Sequence, residues 1–211
     1  MENKKLNSQD VKNLSTAPGI DSKSAVAQKV GAYYNGSTVT PKGLKLAEDI
    51  FRIMVRDVEV KVRQGLAESL KNCHNLPHDI VDSVIRDTDT VALPFIKYYD
   101  HLSNEDLIKI LDIPSINKQK AVAQRLNLPN EISQYIVEKC PEEVVGVLIS
   151  NETASIHEKT FDSIIEKYRE SDEIKQRLVY RTELPTSVIE KIANSLSEEL
   201  KKRLIVSHNL P

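Results

Sequence analysis

Asn75-Leu76-Pro77, Asn127-Leu128-Pro129 and Asn209-Leu210-Pro211 repeat one tripeptide along a chain of 211 residues, and Glu183-Leu184-Pro185 is a near copy. Leu102-Ser103 and Ala154-Ser155 fall between them as weaker versions. With Pro77, Ser103, Pro129, Ser155, Pro185 and Pro211 as anchors, the successive spacings are 26, 26, 26, 30 and 26 residues. A fixed period of this length marks stacked supersecondary units. Seven residues before each anchor stand Leu70, Ile96, Val122, Leu148, Leu178 and Leu204, all aliphatic. Eleven residues before stand Leu66, Ala92, Lys118, Val144, Ile174 and Leu200, apolar except for Lys118. The two offsets differ by one helical turn, so an amphipathic helix leads into each anchor.

A second helix follows each anchor. Its apolar face is Ile80, Val84 and Ile85 after Pro77, and Leu107, Ile110 and Leu111 after Ser103. It is Ile132, Ile136 and Val137 after Pro129, and Val188, Ile192 and Ala193 after Pro185. Proline suits the first helical position, where its missing N–H would have had no partner. After Ser155 the set shifts by about three residues to Phe161, Ile164 and Ile165, which predicts a short insertion before the second helix of the 30-residue unit. The leading helices carry start signals: Asp87-Thr88-Asp89, Pro141-Glu142-Glu143, Ser171-Asp172-Glu173 and Ser197-Glu198-Glu199. Such residues satisfy free N–H groups and sit well at the positive end of a helix dipole. No alternating strand pattern stands out.

Residues 1–48 fall outside the period and are predicted to form an N-terminal helical cap. Ser8 or Asp10 starts one helix, which ends before Pro18-Gly19. Ser22 or Ser24 starts a second, with Val26, Val30 and Tyr33 on its buried face; Gly31 weakens it and Asn35-Gly36 ends it. Thr40-Pro41 opens a third, which carries Leu44, Ala47, Phe51, Met54 and Val55. The repeats then span 49–211, the last one incomplete, because Pro211 is an anchor with no second helix after it. The chain is therefore expected to be a fragment. One hairpin cannot bury its own apolar stripe but stacked neighbours can, so the expected fold is an all-α solenoid of short helical hairpins.

The composition narrows the function classes. Lys and Arg number 29 against 31 Asp and Glu, a net charge of −2, with 40% hydrophobic and 5% aromatic residues and no Trp. A nucleic-acid binder draws its affinity from phosphate neutralisation and shows a basic surplus, which is missing here. No apolar run approaches the roughly 20 residues of a membrane span, and the N-terminus lacks the core of a signal peptide. Two cysteines, Cys73 and Cys140, do not make a disulfide framework, and reduced thiols are expected. Cytoplasmic residence follows, with export as an effector lacking a cleaved signal as the alternative.

The run Leu46-Ala47-Glu48-Asp49-Ile50-Phe51-Arg52-Ile53-Met54-Val55-Arg56-Asp57 continues through Glu59–Leu70, Asn75–Ile80 and Leu102–Leu107. It resembles an uncharacterised alphaproteobacterial family of HEAT-like helical repeats. The Asn-Leu-Pro units also resemble the leucine-rich-repeat variant, another helical solenoid. The resemblance implies a right-handed HEAT-like or armadillo-like superhelix. It carries no agreed activity, so no catalytic residue transfers from it. The leucine-rich-repeat variant can carry a cysteine-bound iron–sulfur cluster, but the cysteines for one are missing here. Gly65 stands where the family pattern leads one to expect Ala.

Catalytic signatures are missing: the chain has no Gly-rich phosphate loop, no His-Glu-x-x-His and no Gly-x-Ser-x-Gly. No cofactor or metal is expected, since Cys73, His74 and His78 lack a fourth ligand. In Tyr33-Tyr34 and in Tyr98-Tyr99 one ring is expected to enter the core while its neighbour points elsewhere. The candidate partner-binding surface is Lys97, Tyr98, Tyr99 and His101 near an inter-helix turn. Arg125, Arg177, Arg181 and Arg203, near the ends of the leading helices, are either a solvated face or a ridge for an acidic partner. The expected function is a non-catalytic protein-interaction scaffold or a regulatory or targeting module. Its partner would be a protein, with no nucleic acid and no small molecule expected. The competing expectation is a HEAT-like nucleic-acid-binding or base-excision enzyme.

Overall fold

The computed structural model describes residues 19–36, 39–193 and 196–208. The expected helix beginning at Ser8 or Asp10 and the last anchor, Asn209-Leu210-Pro211, lie outside the described residues. Among the described residues there are thirteen helices and no strand. They are α1 (Ile20–Tyr34), α2 (Pro41–Met54), α3 (Val60–Leu70), α4 (His78–Ile85) and α5 (Asp89–Tyr98) in one unit. A second unit holds α6 (Asn104–Leu111), α7 (Ile116–Ala123), α8 (Asn130–Lys139), α9 (Glu142–Ile149), α10 (Glu158–Lys167), α11 (Asp172–Tyr180), α12 (Thr186–Ala193) and α13 (Glu198–His208). The chain divides between them at Ser103 and Asn104.

The periodic positions form the core. Leu70, Ile96, Val122, Leu148, Leu178 and Leu204 are all buried. So are Leu66, Ala92, Val144 and Ile174, and Lys118 is buried as well. In the second unit α6, α8, α10 and α12 pack in sequence, and α7, α9, α11 and α13 pack in sequence beside them. Each helix from α6 to α11 thus meets the helix two places on. In the first unit α1 packs on α3 and α3 on α5, with α2 against both α1 and α3.

The tripeptide has a distinct conformational role at each residue. Asn75 and Asn127 sit in the left-handed region, at φ 54° and 52°. Asn tolerates that region better than other residues with a Cβ. Leu76 and Leu128 turn inward and are buried. Pro77 and Pro129 occupy the cap position, one residue before the helix. Proline was expected inside the first turn. It serves as well just outside, because a cap residue contributes its carbonyl and not its N–H: the amides of Ile80 and Val81 donate to the Pro77 oxygen at 3.0 and 3.2 Å. Pro141 is likewise a cap residue, whereas Pro41 does open α2, with the Thr40 hydroxyl accepting from the Gly43 amide at 3.1 Å.

The insertion falls where the spacing places it. α4, α6, α8 and α12 begin directly after their anchors, but α10 begins at Glu158, three residues beyond Ser155. In α1 the buried set is Val26, Val30 and Tyr34, with Tyr33 only half-buried. The sequence reading is off by one residue there, because Tyr34 and not Tyr33 continues the spacing of four. The Tyr34 hydroxyl donates to the Asn75 carbonyl at 3.0 Å and so ties α1 to the first Asn-Leu-Pro turn.

Candidate functional site

The end of α5 places two adjacent tyrosines in opposite environments. Neighbours on a helix point about 100° apart, so only one can face the core. Tyr99 is 1% exposed and stacks on Phe95, with ring centroids 4.6 Å apart and planes inclined by 18°. Tyr98 stays 55% exposed, with the ammonium groups of Lys71 and Lys97 at 5.2 and 5.5 Å from its ring centroid. The negative face of a tyrosine ring attracts cations at that range. His101 Nε2 lies 2.7 Å from His74 Nδ1, so one ring must donate and the other accept. Of the candidate residues, Lys97 and Tyr98 lie together, His101 pairs with His74, and Tyr99 belongs to the core. Lys71 joins Tyr98 and His74 joins His101, two neighbours that sequence reasoning missed. The signal was present in the period, which brings residues 27 apart side by side.

The four arginines do not stand together as solvated cations. Arg125 is 8% exposed and Arg181 is 5% exposed. Arg181 Nη1 donates to the carbonyls of Ile149 and Asn151, both at 2.8 Å, and Nη2 donates to Ala154 at 2.9 Å. Burial lowers its pKa, partly offset by Glu152 and Glu183. The last carbonyls of a helix lack intrahelical donors, and this guanidinium serves those at the end of α9. Arg177 binds Glu173 within α11 through Nε and Nη2 at 3.0 and 2.9 Å, and reaches Ser150 Oγ at 2.7 Å. Gly146 makes room for it, since a Cβ there would lie 2.9 Å from Arg177 Nε. The exposed Arg203 lies over the ring of Tyr180, 5.0 Å from its centroid.

A groove lies where the insertion separates the anchor from α10. One cavity of about 490 Å³ runs between α8 and the start of α10 and includes Gln134, Val137, Glu138, His157 and Glu158. A second of about 720 Å³ continues past Gln134 and His157 to Leu128, Asn130, Glu131 and Ser155. Its signal in the sequence was the spacing of 30.

The thiols are poor nucleophiles. Desolvation pushes Cys73 up to about 12 and Cys140 to about 11, so both stay protonated at neutral pH. Among the described residues no three His, Cys, Asp or Glu side chains are grouped to hold a metal. No described helix is long and apolar enough to cross a membrane.

No curated protein matches the chain. A crystal structure of an engineered protein, a Northeast Structural Genomics Consortium target, is similar over 96% of this chain and 78% of that one, at 13% identity and a TM-score of 0.28. A family described as an uncharacterised protein conserved in bacteria, DUF2336, matches residues 91–211, more than half of the chain. The chain belongs to this DUF2336 family of bacterial proteins.

Proposed function

We propose that the chain is a non-catalytic protein-interaction scaffold, a HEAT-like α-solenoid in which the helices after the anchors present a binding face. The observation that carries this reading is the register of the second unit. There α6, α8, α10 and α12 line up as consecutive neighbours, each offering its outer residues beside the last. Rows of this kind make extended surfaces on which aliphatic positions hold shape and polar positions select a partner. Polar residues tie that row across repeats: Asn104 Nδ2 donates to Glu131 Oε2 at 2.6 Å, and Lys191 Nζ to Asp162 Oδ1 at 2.6 Å. Arg181, a cation that could have served a phosphate-binding channel, is instead buried against backbone carbonyls.

Affinity capture from the native cell, with the whole chain as bait, tests the reading. A stoichiometric protein partner is expected, and it should be lost on substitution of exposed second-helix residues that leave the melting temperature unchanged. Capture of no protein, or salt-dependent binding of DNA at low ionic strength, would overturn it.

A further inference from the structure

Cys73, His74 and His78 are neighbours in the sequence, but the fold gives His74 a different companion. Cys73 is fully buried, and its thiol donates to the Ser69 carbonyl at 3.6 Å. The ring that His74 meets is His101, from the turn one repeat on. His74 Nδ1 and His101 Nε2 are 2.7 Å apart, and the ring planes are inclined by 76°. Both residues are exposed.

Each ring stands on a braced segment. His74 immediately precedes the left-handed Asn75, whose carbonyl accepts the Tyr34 hydroxyl at 3.0 Å. The buried Leu76 anchors the same turn. His101 comes just after α5, and its ring packs edge-on against the buried Tyr99, with centroids 5.6 Å apart. The core therefore sets the backbone beneath both rings, while the rings keep access to water. Ligands held on rigid supports are what a metal site requires of a protein.

In the free chain one of the two facing nitrogens carries a proton and the other a lone pair. When that proton moves to the far nitrogen of its own ring, both facing nitrogens offer lone pairs. A modest turn of the exposed rings then makes the two lone pairs converge on one point. Neutral imidazole suits copper, nickel and zinc, and the spacing separates them. With metal–nitrogen bonds of about 2.0 Å, adjacent ligands stand about 2.8 Å apart in a square-planar centre and about 3.3 Å apart in a tetrahedral one. The spacing of 2.7 Å lies close to the square-planar value. Zinc sites use three or four protein ligands, and among the described residues no third His, Cys, Asp or Glu joins this pair.

We propose that His74 Nδ1 and His101 Nε2 form a two-histidine site for a divalent transition-metal ion of square-planar preference, copper(II) above all. Water fills its other positions, and the N–H groups sit on His74 Nε2 and His101 Nδ1. The ion clamps two successive repeats, so it stabilises the folded chain by mass action.

The test titrates the metal-free full chain with copper(II), nickel(II) or zinc chloride by isothermal titration calorimetry, and takes an electron paramagnetic resonance spectrum of the copper form. Copper is expected to bind most tightly, with hyperfine coupling from two imidazole nitrogens, and to raise the melting temperature. His74→Gln and His101→Gln keep a hydrogen-bonding group but lose the ligand. Each should weaken copper binding about tenfold or more and abolish the thermal shift, with the metal-free melting temperature unchanged. His157→Gln, exposed in the second unit, should leave binding as it is. Copper binding that survives both substitutions, an equal loss with His157→Gln, a spectrum without imidazole coupling, or tighter binding of zinc than of copper overturns the proposal. Each of those results leaves the scaffold reading standing, because that reading needs no metal.

Discussion

Arg181 reaches across one repeat to bind Ile149: its Nη1 donates to the last carbonyl of α9 at 2.8 Å. The same guanidinium also holds Asn151 and Ala154, so one side chain satisfies three acceptors of the preceding unit. Truncation would leave acceptors without donors next to a void. Arg181→Ala is expected to cost about 3 kcal/mol, and Arg181→Lys, which lacks the planar fork, about 2 kcal/mol. Urea denaturation of the two variants checks both values. A loss under about 0.5 kcal/mol would show that the guanidinium is a solvated surface group.

A second interaction makes stability depend on acid. In the first unit Arg63 Nε and Nη2 donate to the Asp87 carboxylate at 2.6 and 2.9 Å. Burial alone would raise the Asp87 pKa, but the bonds from Arg63 and Thr88 outweigh it and hold the carboxyl below its ordinary value. A depressed folded-state pKa means stability that is complete above the unfolded pKa of about 3.9 and is lost as pH falls through the folded value. The stability gap between the wild type and Asp87→Asn should therefore be full at neutral pH. It should narrow only once the pH drops below about 4. A gap that is the same at pH 7 and at about pH 2 would contradict this linkage.

The left-handed residues of the tripeptide give a conformational prediction. Asn127 sits at φ 52° with no strain relief available to a β-branched side chain. Asn127→Gly should be neutral within about 0.5 kcal/mol, while Asn127→Val should cost about 1–2 kcal/mol. Thermal melts distinguish these outcomes, and equal melting temperatures would argue that the turn tolerates either backbone.

Gly65 and Gly31 separate two explanations for glycine in a helix. A Cβ on Gly65 would meet Ser24 Oγ at 3.5 Å, an ordinary contact, whereas one on Gly31 would meet Ser69 Cβ at 3.1 Å and the Ser69 carbonyl at 3.4 Å. The close approach of α1 to α3 is thus made at Gly31. Gly65→Ala should stabilise the chain by roughly 0.5–1 kcal/mol through helix propensity. Gly31→Ala should gain nothing or lose stability through crowding. Differential scanning calorimetry decides, and a destabilised Gly65→Ala would show that α3 needs a residue without a side chain there.

The register itself can be challenged at Leu178, which is 1% exposed at the position seven before an anchor. Leu178→Asp buries an unpaired carboxylate and should cost about 4 kcal/mol or more, enough to abolish a cooperative transition. An unchanged melting curve would remove the basis for the repeat.

Helices were legible because their signals are local. Aliphatic residues at offsets of seven and eleven, and Thr40-Pro41 and Ser171 as starts, act through contacts within a turn or two of the chain. Hydrophobic periodicity selects the buried face of each helix, so Leu70, Ile96 and Val122 could be assigned to the core before any neighbour was known. One tyrosine of each pair does turn inward, although the sequence pointed to Tyr33 where the core takes Tyr34.

Tertiary structure decided which groups meet across repeats. His74 and His101 are 27 residues apart, and Arg181 lies 32 from Ile149, so each pairing depends on the register between stacked helices. The same limit explains the arginines, which look alike along the chain although Arg181 is buried and Arg203 is exposed. A helical pattern fixes the direction of a side chain about its own axis but leaves open which acceptor the next repeat places there. The groove at His157 belongs to this second kind of information: its insertion could be counted in the sequence, but its walls come from two repeats brought side by side by packing.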